Sequence, residues 1–480
     1  MTDVTSGASG TGAGDAQTVQ ARPILITQTR LALRVLSDDD VTRTHVAALE
    51  LLGAEGAAAE AAAGSAPPAF VLAGRVPQHD VTLGAGHAWL AAGAATAGPA
   101  GAPERVRRLA GGDSVPATID DLDDAIRLAD ALPEVAVLAG PPLRAAGVPA
   151  LAAVARCLSG TSKHVMAGLL ASVADAELAV QAAVAVAGSA GQARRRPPLS
   201  LCAAAGALDA ALVFARAGLP VGLVLAPADA AAGAAAPPST PAATAGAAPP
   251  APADLGPALV RHHAGVLAAC AAVQAAAPGA PFFYVADPAA AGLPPAGPQA
   301  SLFQLAAAQL AAHVGLPLVA GGLRTTSHEP DWQACQQDAF VSLTTTASGA
   351  DVTGGAGLLG AAAAFSPQQL VMDTEIFSWN AFIVAGIQVD DETIALDAVK
   401  QVGIGGNYLG QRHTRRHMKE VWRPRLLDRT MWDAWVASGR EGAYEKATAL
   451  AERLLAEHNA VPLGTEARGV IERIIAGPGL

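Results

Sequence analysis

Short apolar runs recur along the chain, and longer Ala-rich stretches that favour helices separate them. The runs do not alternate between apolar and polar residues, which is typical of parallel strands covered on both faces. The predicted strands are Ala69–Ala73, Val135–Ala139, His164–Gly168, Leu199–Ala203, Val221–Leu225, Phe282–Ala286, Pro317–Ala320 and Ala350–Thr353. The predicted helices between them include Asp120–Ala131, Asp175–Val186, Val260–Ala276, Leu302–Val314 and Asp331–Ser348. Eight strands alternating with helices favour an α/β fold, a (β/α)8 TIM barrel, over an open sheet.

The pattern changes after the eighth predicted strand. Ser366-Pro367 with Gln369 resembles a capping box with Pro at the first helical position, and it opens a helix to about Ala385. Further helices are predicted at Glu392–Val402 (capped by Asp390 or Asp391), from about Gln411, and at Thr430–Ser438, Gly442–His458 and Thr465–Ile475. We therefore predict a barrel over residues 23–385 and a helical C-terminal extension over 386–480.

Two segments do not fit the alternation of strands and helices. Residues 1–22 are polar and rich in Gly, Ser and Thr, so they are predicted to form a disordered tail. Residues 227–252 hold seven prolines and one charge, Asp229, so they are predicted to form a low-complexity loop after the fifth strand. Loops at the carboxyl ends of barrel strands build active sites, which would permit a lid, but the composition favours a passive insertion.

The composition limits the partners and the compartment. The chain is 51% apolar but only 4% aromatic, so its core must be built from small side chains. Its net charge of −11 disfavours nucleic acid as a partner. The four cysteines are far apart and form no CxxC pair, so they are predicted to be buried apolar residues. No secretory leader or membrane span is visible, and a cytoplasmic location without a membrane partner is expected.

One glycine motif invites a cofactor assignment. Residues Gly355 to Gly360 spell GxGxxG after a predicted strand, which superficially matches a dinucleotide-binding fingerprint. However, Ser366 and Pro367 would stop the following helix too early for a Rossmann crossover. A glycine-rich loop that lets a ligand approach the backbone at the barrel mouth is the better hypothesis. The absence of GxxxxGK[ST] and GxSxG motifs excludes P-loop NTPases and the usual hydrolase elbow.

A basic cluster follows these glycines. Between Lys400 and Arg429 there are eight Lys or Arg residues against Glu420 and Asp428, a local charge of +6. Such a cluster is either a solvated face or a dock for an acidic partner or a phosphate-bearing cofactor. His413 and His417 would share one helix face, but no third ligand accompanies them, and no metal site is predicted.

Carboxylates and aromatic rings supply the remaining candidates. Asp331 is expected to cap the helix that it precedes, and Lys163 to have a structural role. Asp351 lies in the eighth predicted strand, where a carboxylate is costly unless it is paired or at the barrel mouth. Rings occur near carboxylates at 282–287 and at 373–382, which is compatible with a cation cage or with core packing.

Several spaced blocks resemble the trimethylamine methyltransferase family, including its non-pyrrolysine, betaine-demethylating members. The blocks are Gly321–Gln337, Gly349–Ile376, Gly386–Leu409, His413–His417 and Pro424–Trp435, with weaker similarity at Ser162–His164 and Ala277–Pro281. Members of this family are (β/α)8 barrels. The resemblance implies an enzyme that moves an N-methyl group from a quaternary, betaine-like amine to Co(I) of cobalamin. The resemblance also implies that a separate small corrinoid protein carries this cobalamin.

The implied chemistry suits a quaternary amine. A quaternary ammonium leaves as a neutral amine, so the enzyme needs no proton donor, and it must hold the cation, exclude water and aim the methyl group. No pyrrolysine is written in this sequence, which favours a betaine over trimethylamine. The alternatives are a folate-type methyltransferase and a catalytically silent barrel that binds a quaternary amine or a corrinoid protein. The sequence neither requires nor excludes a homo-oligomer.

The resemblance and the ring pattern together give a set of expected site residues. The catalytic candidates are Asp351 and Glu375. The substrate-binding candidates are Tyr284, Gly322, Phe377 and Trp379. The residues expected to contact the corrinoid are Gly354, Gly355, Gly357, Tyr408, His413 and His417.

Overall fold

The computed structural model describes residues 33–93, 102–170, 172–203, 206–224 and 255–477. The predicted tail at 1–22 and the predicted loop at 227–252 lie outside the described residues. Over the described ranges, no helix is long and apolar enough to cross a membrane.

Eight parallel strands form the central sheet. In chain order they are Trp89–Ala92, Val135–Ala139, His164–Ala167, Leu199–Ala203, Val221–Leu223, Tyr284–Ala286, Leu318–Ala320 and Val352–Ala356, and the last pairs with the first. A parallel bridge between Val221 and Phe282 joins the fifth strand to the sixth, with the Val221 amide 3.0 Å from the Pro281 carbonyl oxygen. The sheet therefore closes, which confirms the predicted (β/α)8 barrel.

The predicted first strand, Ala69–Ala73, was wrong as a barrel strand. Phe70–Leu72 pairs antiparallel with Val81–Leu83 in a separate hairpin, and Trp89–Ala92 is the first barrel strand. Both segments are short apolar runs. Trp89–Ala92 lies in Ala-rich sequence, so its pattern does not distinguish it as a strand. The hairpin covers the amino-terminal end of the barrel, where Trp89 Nε1 donates to the Thr82 carbonyl oxygen at 3.2 Å.

Helices surround the barrel. Up to the eighth strand they are Asp38–Leu52, Gly56–Ser65, Ile119–Ala131, Ala150–Gly160, Val173–Ala187, Ala190–Arg195, Leu208–Ala217, Leu255–Ala276, Pro298–His313 and Trp332–Ala347. The five helices predicted in this region are confirmed, with shifted ends. Side-chain caps begin several of them, as at Thr118, Ser172 and Asp331. Asp331 accepts from the Ala334 amide at 3.0 Å, which confirms its predicted capping role.

A small sheet and further helices complete the chain. The four short strands Arg105–Val106, Val115–Pro116, Leu358–Leu359 and Ala364–Phe365 form the small sheet. The later helices are Pro367–Ala385, Asp391–Ile394, Leu396–Val402, Arg412–His417, Trp432–Ala437, Ala443–Glu457 and Thr465–Ala476. Ala395, with φ of 49°, splits the helix predicted at Glu392–Val402 in two. The last two helices pack on barrel helices, which anchors the end of the described chain.

Small residues allow the barrel interior to close. Gly222 in the fifth strand leaves room for the Phe283 ring, and a Cβ at Gly222 would lie 2.0 Å from Phe283 Cε2. Phe283 is fully buried, so it fills space that the many alanines leave open. Cys157, Cys202 and Cys270 are buried, as predicted, whereas Cys335 is half-buried.

The contact between Gly222 and Phe283 predicts that adding one methyl group at position 222 destabilises the fold. Gly222→Ala should lower the free energy of unfolding by about 1–3 kcal/mol, because the buried ring or the strand must shift. The control is Gly256→Ala, a helical position with open space around its Cα. There the free energy should stay unchanged or rise by up to about 1 kcal/mol. Urea denaturation measures both; equal effects at the two positions would contradict this packing account.

Candidate functional site at the barrel mouth

A buried ion pair lies at the carboxyl-terminal end of the barrel. Asp287 follows the sixth strand directly, and Arg324 lies in the loop after the seventh. Arg324 Nη1 lies 3.3 Å from Asp287 Oδ1, and the two side chains are only 5% and 2% exposed. Since the carboxyl ends of parallel barrel strands carry the active sites of this fold, the pair marks the candidate site.

The alternation of side chains aims Asp287 into the barrel. The Tyr284 hydroxyl reaches His263 in the surrounding helix layer, 3.1 Å from its Nδ1, so Tyr284 points outward. Side chains of a strand alternate between its faces, and the continuation of that alternation directs Val285 and Asp287 inward. Tyr284 is therefore not brought to the mouth, in contrast to its predicted role in substrate binding.

The two oxygens of Asp287 differ in their surroundings. Oδ1 accepts from the Ala289 amide at 3.0 Å as well as facing Arg324. Oδ2 is buried and has no hydrogen-bond partner among the described residues. A buried carboxylate oxygen without a donor is costly unless a cation lies nearby, so this atom is a candidate for ligand contact.

Hydrogen bonds fix the loop that carries Arg324. The Thr325 hydroxyl donates to Gln337 Oε1 at 2.7 Å, and the Ser327 hydroxyl donates to Asp331 Oδ1 at 2.8 Å. Both acceptors belong to the start of the Trp332–Ala347 helix or its cap. The loop is therefore held in place on the outside, which positions Arg324 for its contact on the inside.

The predicted glycines meet at the same end of the barrel. The Gly322 amide donates to the Gly354 carbonyl oxygen at 3.1 Å. Gly322 lies in the same loop as Arg324, close to it in sequence. Gly355 has φ of 99°, and a Cβ there would lie 2.1 Å from the Leu323 carbonyl oxygen. A Cβ at Gly357, with φ of 88°, would lie 2.5 Å from the Phe365 ring. Leu358–Leu359, within the GxGxxG motif, forms a strand, and the strand Ala364–Phe365 follows it, so the motif does not open a Rossmann helix.

Asp351 lies at the opposite end of the barrel. It precedes the eighth strand, and its carboxylate accepts from the amides of Gly84 at 2.6 Å and Leu318 at 2.8 Å. Burial raises the pKa of Asp351 to about 6. Because Gly84 follows the hairpin that covers the amino-terminal end, Asp351 stabilises that closed end and is far from the mouth in the fold.

Glu375, Phe377 and Trp379 lie on the Pro367–Ala385 helix outside the barrel. The Glu375 carboxylate accepts from the Arg425 amide at 3.0 Å and faces the Arg425 side chain, which also contacts Glu134 at 3.1 Å. Trp379 is half-exposed against the Trp422 ring. Glu375 and Trp379 thus dock the C-terminal extension, while Phe377 is buried in the helix packing.

Tyr408, His413 and His417 lie on the C-terminal extension. The Tyr408 hydroxyl donates to the Gly403 carbonyl oxygen at 3.0 Å. The His413 and His417 rings are 4.3 Å apart, and His417 Nδ1 lies 2.6 Å from Glu420. Throughout the described ranges, no group of three His, Cys, Asp or Glu residues is placed to hold a metal ion. The structure therefore separates the predicted site residues, and only the glycines among them reach the mouth.

Asp287 and Arg324 are not among the site residues predicted from the sequence. One signal could have found them: each follows the carboxyl end of a predicted strand, and the two strands are neighbours. Charged residues at that position of a barrel are typical of function, whatever their distance in sequence.

A pair of buried carboxyls supports the mouth from outside. The Gln369 amide donates to Asp338 Oδ2 at 3.1 Å and to Asp373 Oδ1 at 2.8 Å. The Gly357 amide donates to Asp373 Oδ2 at 2.8 Å, which ties the pair to the glycine loop. Burial raises the pKa of Asp373 to about 7, and burial together with the Asp373 charge raises the pKa of Asp338. The pair therefore retains a proton in the folded protein near neutral pH.

The fold and the ion pair define a class: a (β/α)8 barrel with buried charges at the end where barrel enzymes bind their substrates. Comparison with known proteins makes this specific. The model of the trimethylamine methyltransferase (MTTB) family matches residues 50–476, and the chain belongs to that family. The resemblance found in the sequence is thereby confirmed.

Individual relatives match over shorter stretches. The trimethylamine methyltransferase MttB of Methanosarcina barkeri (strain Fusaro / DSM 804) is 34% identical over 217 residues, 44% of each chain. The trimethylamine methyltransferase MttB of Desulfitobacterium hafniense (strain DSM 10664 / DCB-2) is 31% identical, over 45% of this chain and 46% of the relative. The glycine betaine methyltransferase of Desulfitobacterium hafniense (strain Y51) is 31% identical, over 47% and 48%. The chain thus spans less than half the length of these curated relatives.

The carboxyl pair predicts a pH dependence of stability. The folded pair keeps a proton that the unfolded chain releases near pH 4, so its contribution to stability falls as the pH rises from about 4 to about 7. Asp338→Asn replaces the protonated partner by a neutral amide. The free energy of unfolding of this variant, relative to the wild type, should therefore rise over that pH range.

Urea denaturation at a series of pH values measures this difference. The control is Asp113→Asn, in an exposed loop, whose difference from the wild type should not vary in the same way. A constant difference for Asp338→Asn between pH 4 and 8 would show that no proton is shared.

Proposed function

We propose that this protein removes a methyl group from a quaternary amine of the betaine type and transfers it to the corrinoid of a separate small protein. Membership of the trimethylamine methyltransferase family supports the reaction class. Its relatives include both a trimethylamine methyltransferase and a glycine betaine methyltransferase, so the family admits both kinds of amine. Which of the two amines is the substrate depends on the charged side chains at the mouth of the barrel.

The observation that carries the proposal is the buried pair of Asp287 and Arg324. A betaine carries a trimethylammonium group and a carboxylate, so a site with one negative and one positive side chain is complementary to both ends. Trimethylamine has no carboxylate that the Arg324 guanidinium, already beside Asp287, could bind in addition. Complementary charges in a buried site contribute mainly to specificity, and this favours the betaine.

The chemistry of a quaternary ammonium matches Asp287 in particular. Such a cation has no N–H group and cannot donate a hydrogen bond to a carboxylate oxygen. Oδ2, which has no donor among the described residues, is suited to a cation that offers charge alone. Because the amine leaves in its neutral form, the protein need not supply a proton. Its tasks are to hold the cation, exclude water and orient the methyl group.

The rim of the mouth suits a large, flat acceptor. Gly321 and Gly322 follow the seventh strand and Gly354 lies in the eighth, so these three positions of the rim carry no side chain. A corrinoid bound there would supply, in its cobalt, the nucleophile that accepts the methyl group. Contacts of Gly354, Gly355, Gly357, Tyr408, His413 and His417 with that group remain a prediction. At Gly355 and Gly357, the space that a Cβ would take is occupied by Leu323 and Phe365 of this chain.

Methylation of free cob(I)alamin tests the proposed activity. Purified protein, glycine betaine and cob(I)alamin should give methylcobalamin, followed by absorbance. Asp287→Asn should lower kcat/KM at least tenfold, about 1.4 kcal/mol of transition-state stabilisation, because the cation loses its counter-charge. Glu329→Gln, an exposed carboxylate on the same side of the barrel, is the control and should leave the rate unchanged. No methylcobalamin from any quaternary amine would favour a silent or folate-type barrel.

Arg324 predicts the substrate preference. Arg324→Gln should raise KM for glycine betaine at least tenfold and change KM for choline, which lacks the carboxylate, much less. The reason is that only the betaine has a group for the guanidinium to bind. Equal losses for the two substrates would show that Arg324 merely positions Asp287.

A further inference from the structure

The backbone of Gly321 connects the two charged residues at the mouth. Gly321 follows the seventh strand directly, and its amide donates to the Ala286 carbonyl oxygen at 3.2 Å, one residue before Asp287. Arg324 comes three residues after Gly321, in the turn that Gly321 begins. The conformation of the chain at Gly321 therefore affects where both members of the ion pair lie.

A buried amide side chain from the helix layer holds the carbonyl group of Gly321. Gln304, on the Pro298–His313 helix, is 1% exposed, and its Nε2 donates to the Gly321 carbonyl oxygen. The Thr345 hydroxyl, on the next helix of the layer, donates to Gln304 Oε1 at 3.0 Å. Because a carbonyl oxygen only accepts hydrogen bonds, the contact with Gly321 fixes which end of the amide faces the turn. Gln304 thus ties two helices to the end of the seventh strand.

The turn after Gly321 is enclosed between the eighth strand and the helix layer. A Cβ at Gly322 would lie 2.5 Å from Thr353 Cγ2 and 3.6 Å from Thr345 Oγ1. On its other side, the Gly322 amide donates to the Gly354 carbonyl oxygen at 3.1 Å. Interiors packed this closely transmit a change at one side chain to its neighbours. A change at Gln304 is therefore expected to reach the turn.

Loss of the Gln304 amide would leave two buried polar groups without their partner. They are the Gly321 carbonyl oxygen and the Thr345 hydroxyl, which is 1% exposed. A buried polar group without a hydrogen bond is costly, so the backbone is expected to turn until the carbonyl finds another donor. Such a rotation displaces the residues that follow, among them Arg324.

We propose that Gln304 is a positioning residue for the barrel mouth: through Gly321 it sets the place of Arg324 relative to Asp287. Gln304 lies in the helix layer outside the barrel, so it acts through the turn and not by contact with the substrate. A betaine needs both charges at a fixed separation, so its binding depends on this contact. The kinetic consequences rest on the proposed function, whereas the geometric ones concern this chain alone.

Crystal structures of the wild type and of Gln304→Met test the geometry without any substrate. Methionine is similar in length but has no amide. The variant should show a rotated Gly321 carbonyl and an Arg324 guanidinium that has left its 3.3 Å contact with Asp287. The control is Gln309→Met on the same helix, which removes the bond from Gln309 to the Leu36 carbonyl oxygen and should leave the turn as it is.

A gentler pair of variants serves if Gln304→Met does not fold. Thr345→Val removes the hydroxyl that holds Gln304 Oε1 but keeps the shape of the side chain, and Thr345→Ser keeps the hydroxyl. The valine variant should displace the turn and the serine variant should not. An unchanged turn in both Gln304→Met and Thr345→Val would overturn the inference, whether or not the protein transfers methyl groups.

Methyl transfer from glycine betaine and choline separates positioning from mere support of the fold. Gln304→Met should raise KM for glycine betaine about tenfold and KM for choline much less, as expected for Arg324→Gln. The double variant should lose no more than Arg324→Gln alone, because both changes remove the same contact with the substrate. Gln309→Met should lower the melting temperature and leave both KM values unchanged. Losses that multiply in the double variant would contradict the positioning role, and a wild type without activity would contradict the proposed function instead.

Discussion

Closure of the barrel between its fifth and sixth strands is the constraint on which the rest of the structure depends. The bridge from Val221 to Phe282 brings the two ends of the eight-stranded sheet together. Gly222 makes this closure compatible with the Phe283 ring inside. The same strand then continues through Val285 to Asp287, so the packing that closes the barrel also sets the position of the carboxylate at its mouth.

The fold could be predicted from the sequence because the alternation of short apolar runs and helices repeats along the chain. One wrongly assigned strand does not change the predicted fold class. The apolar run Ala69–Ala73 predicts a barrel strand wrongly, because three to five apolar residues in a row have the same pattern in a hairpin and in a barrel. The site was harder to predict. Glu375 and Trp379 are carboxylate and ring neighbours in sequence, yet both face the C-terminal extension. Asp287 and Arg324 meet only after the barrel has formed.

The two buried carboxyl arrangements have different physical consequences. Asp287 lies beside a guanidinium, and its Oδ2 has no donor within the part of the chain that the structure describes, which suits contact with a cation. Asp338 and Asp373 share one amide donor and hold each other in a partly protonated state, which suits a structural support. The outer pair, through Gly357, connects the helix layer to the loop that borders the mouth.

A structure of the protein with bound glycine betaine tests the central claim most directly. The account predicts that the trimethylammonium group lies in the barrel mouth next to Asp287, with the ligand carboxylate at Arg324. A betaine bound on the outer helix layer, for instance between Glu375 and Trp379, would contradict it. So would a betaine whose carboxylate faces Asp287.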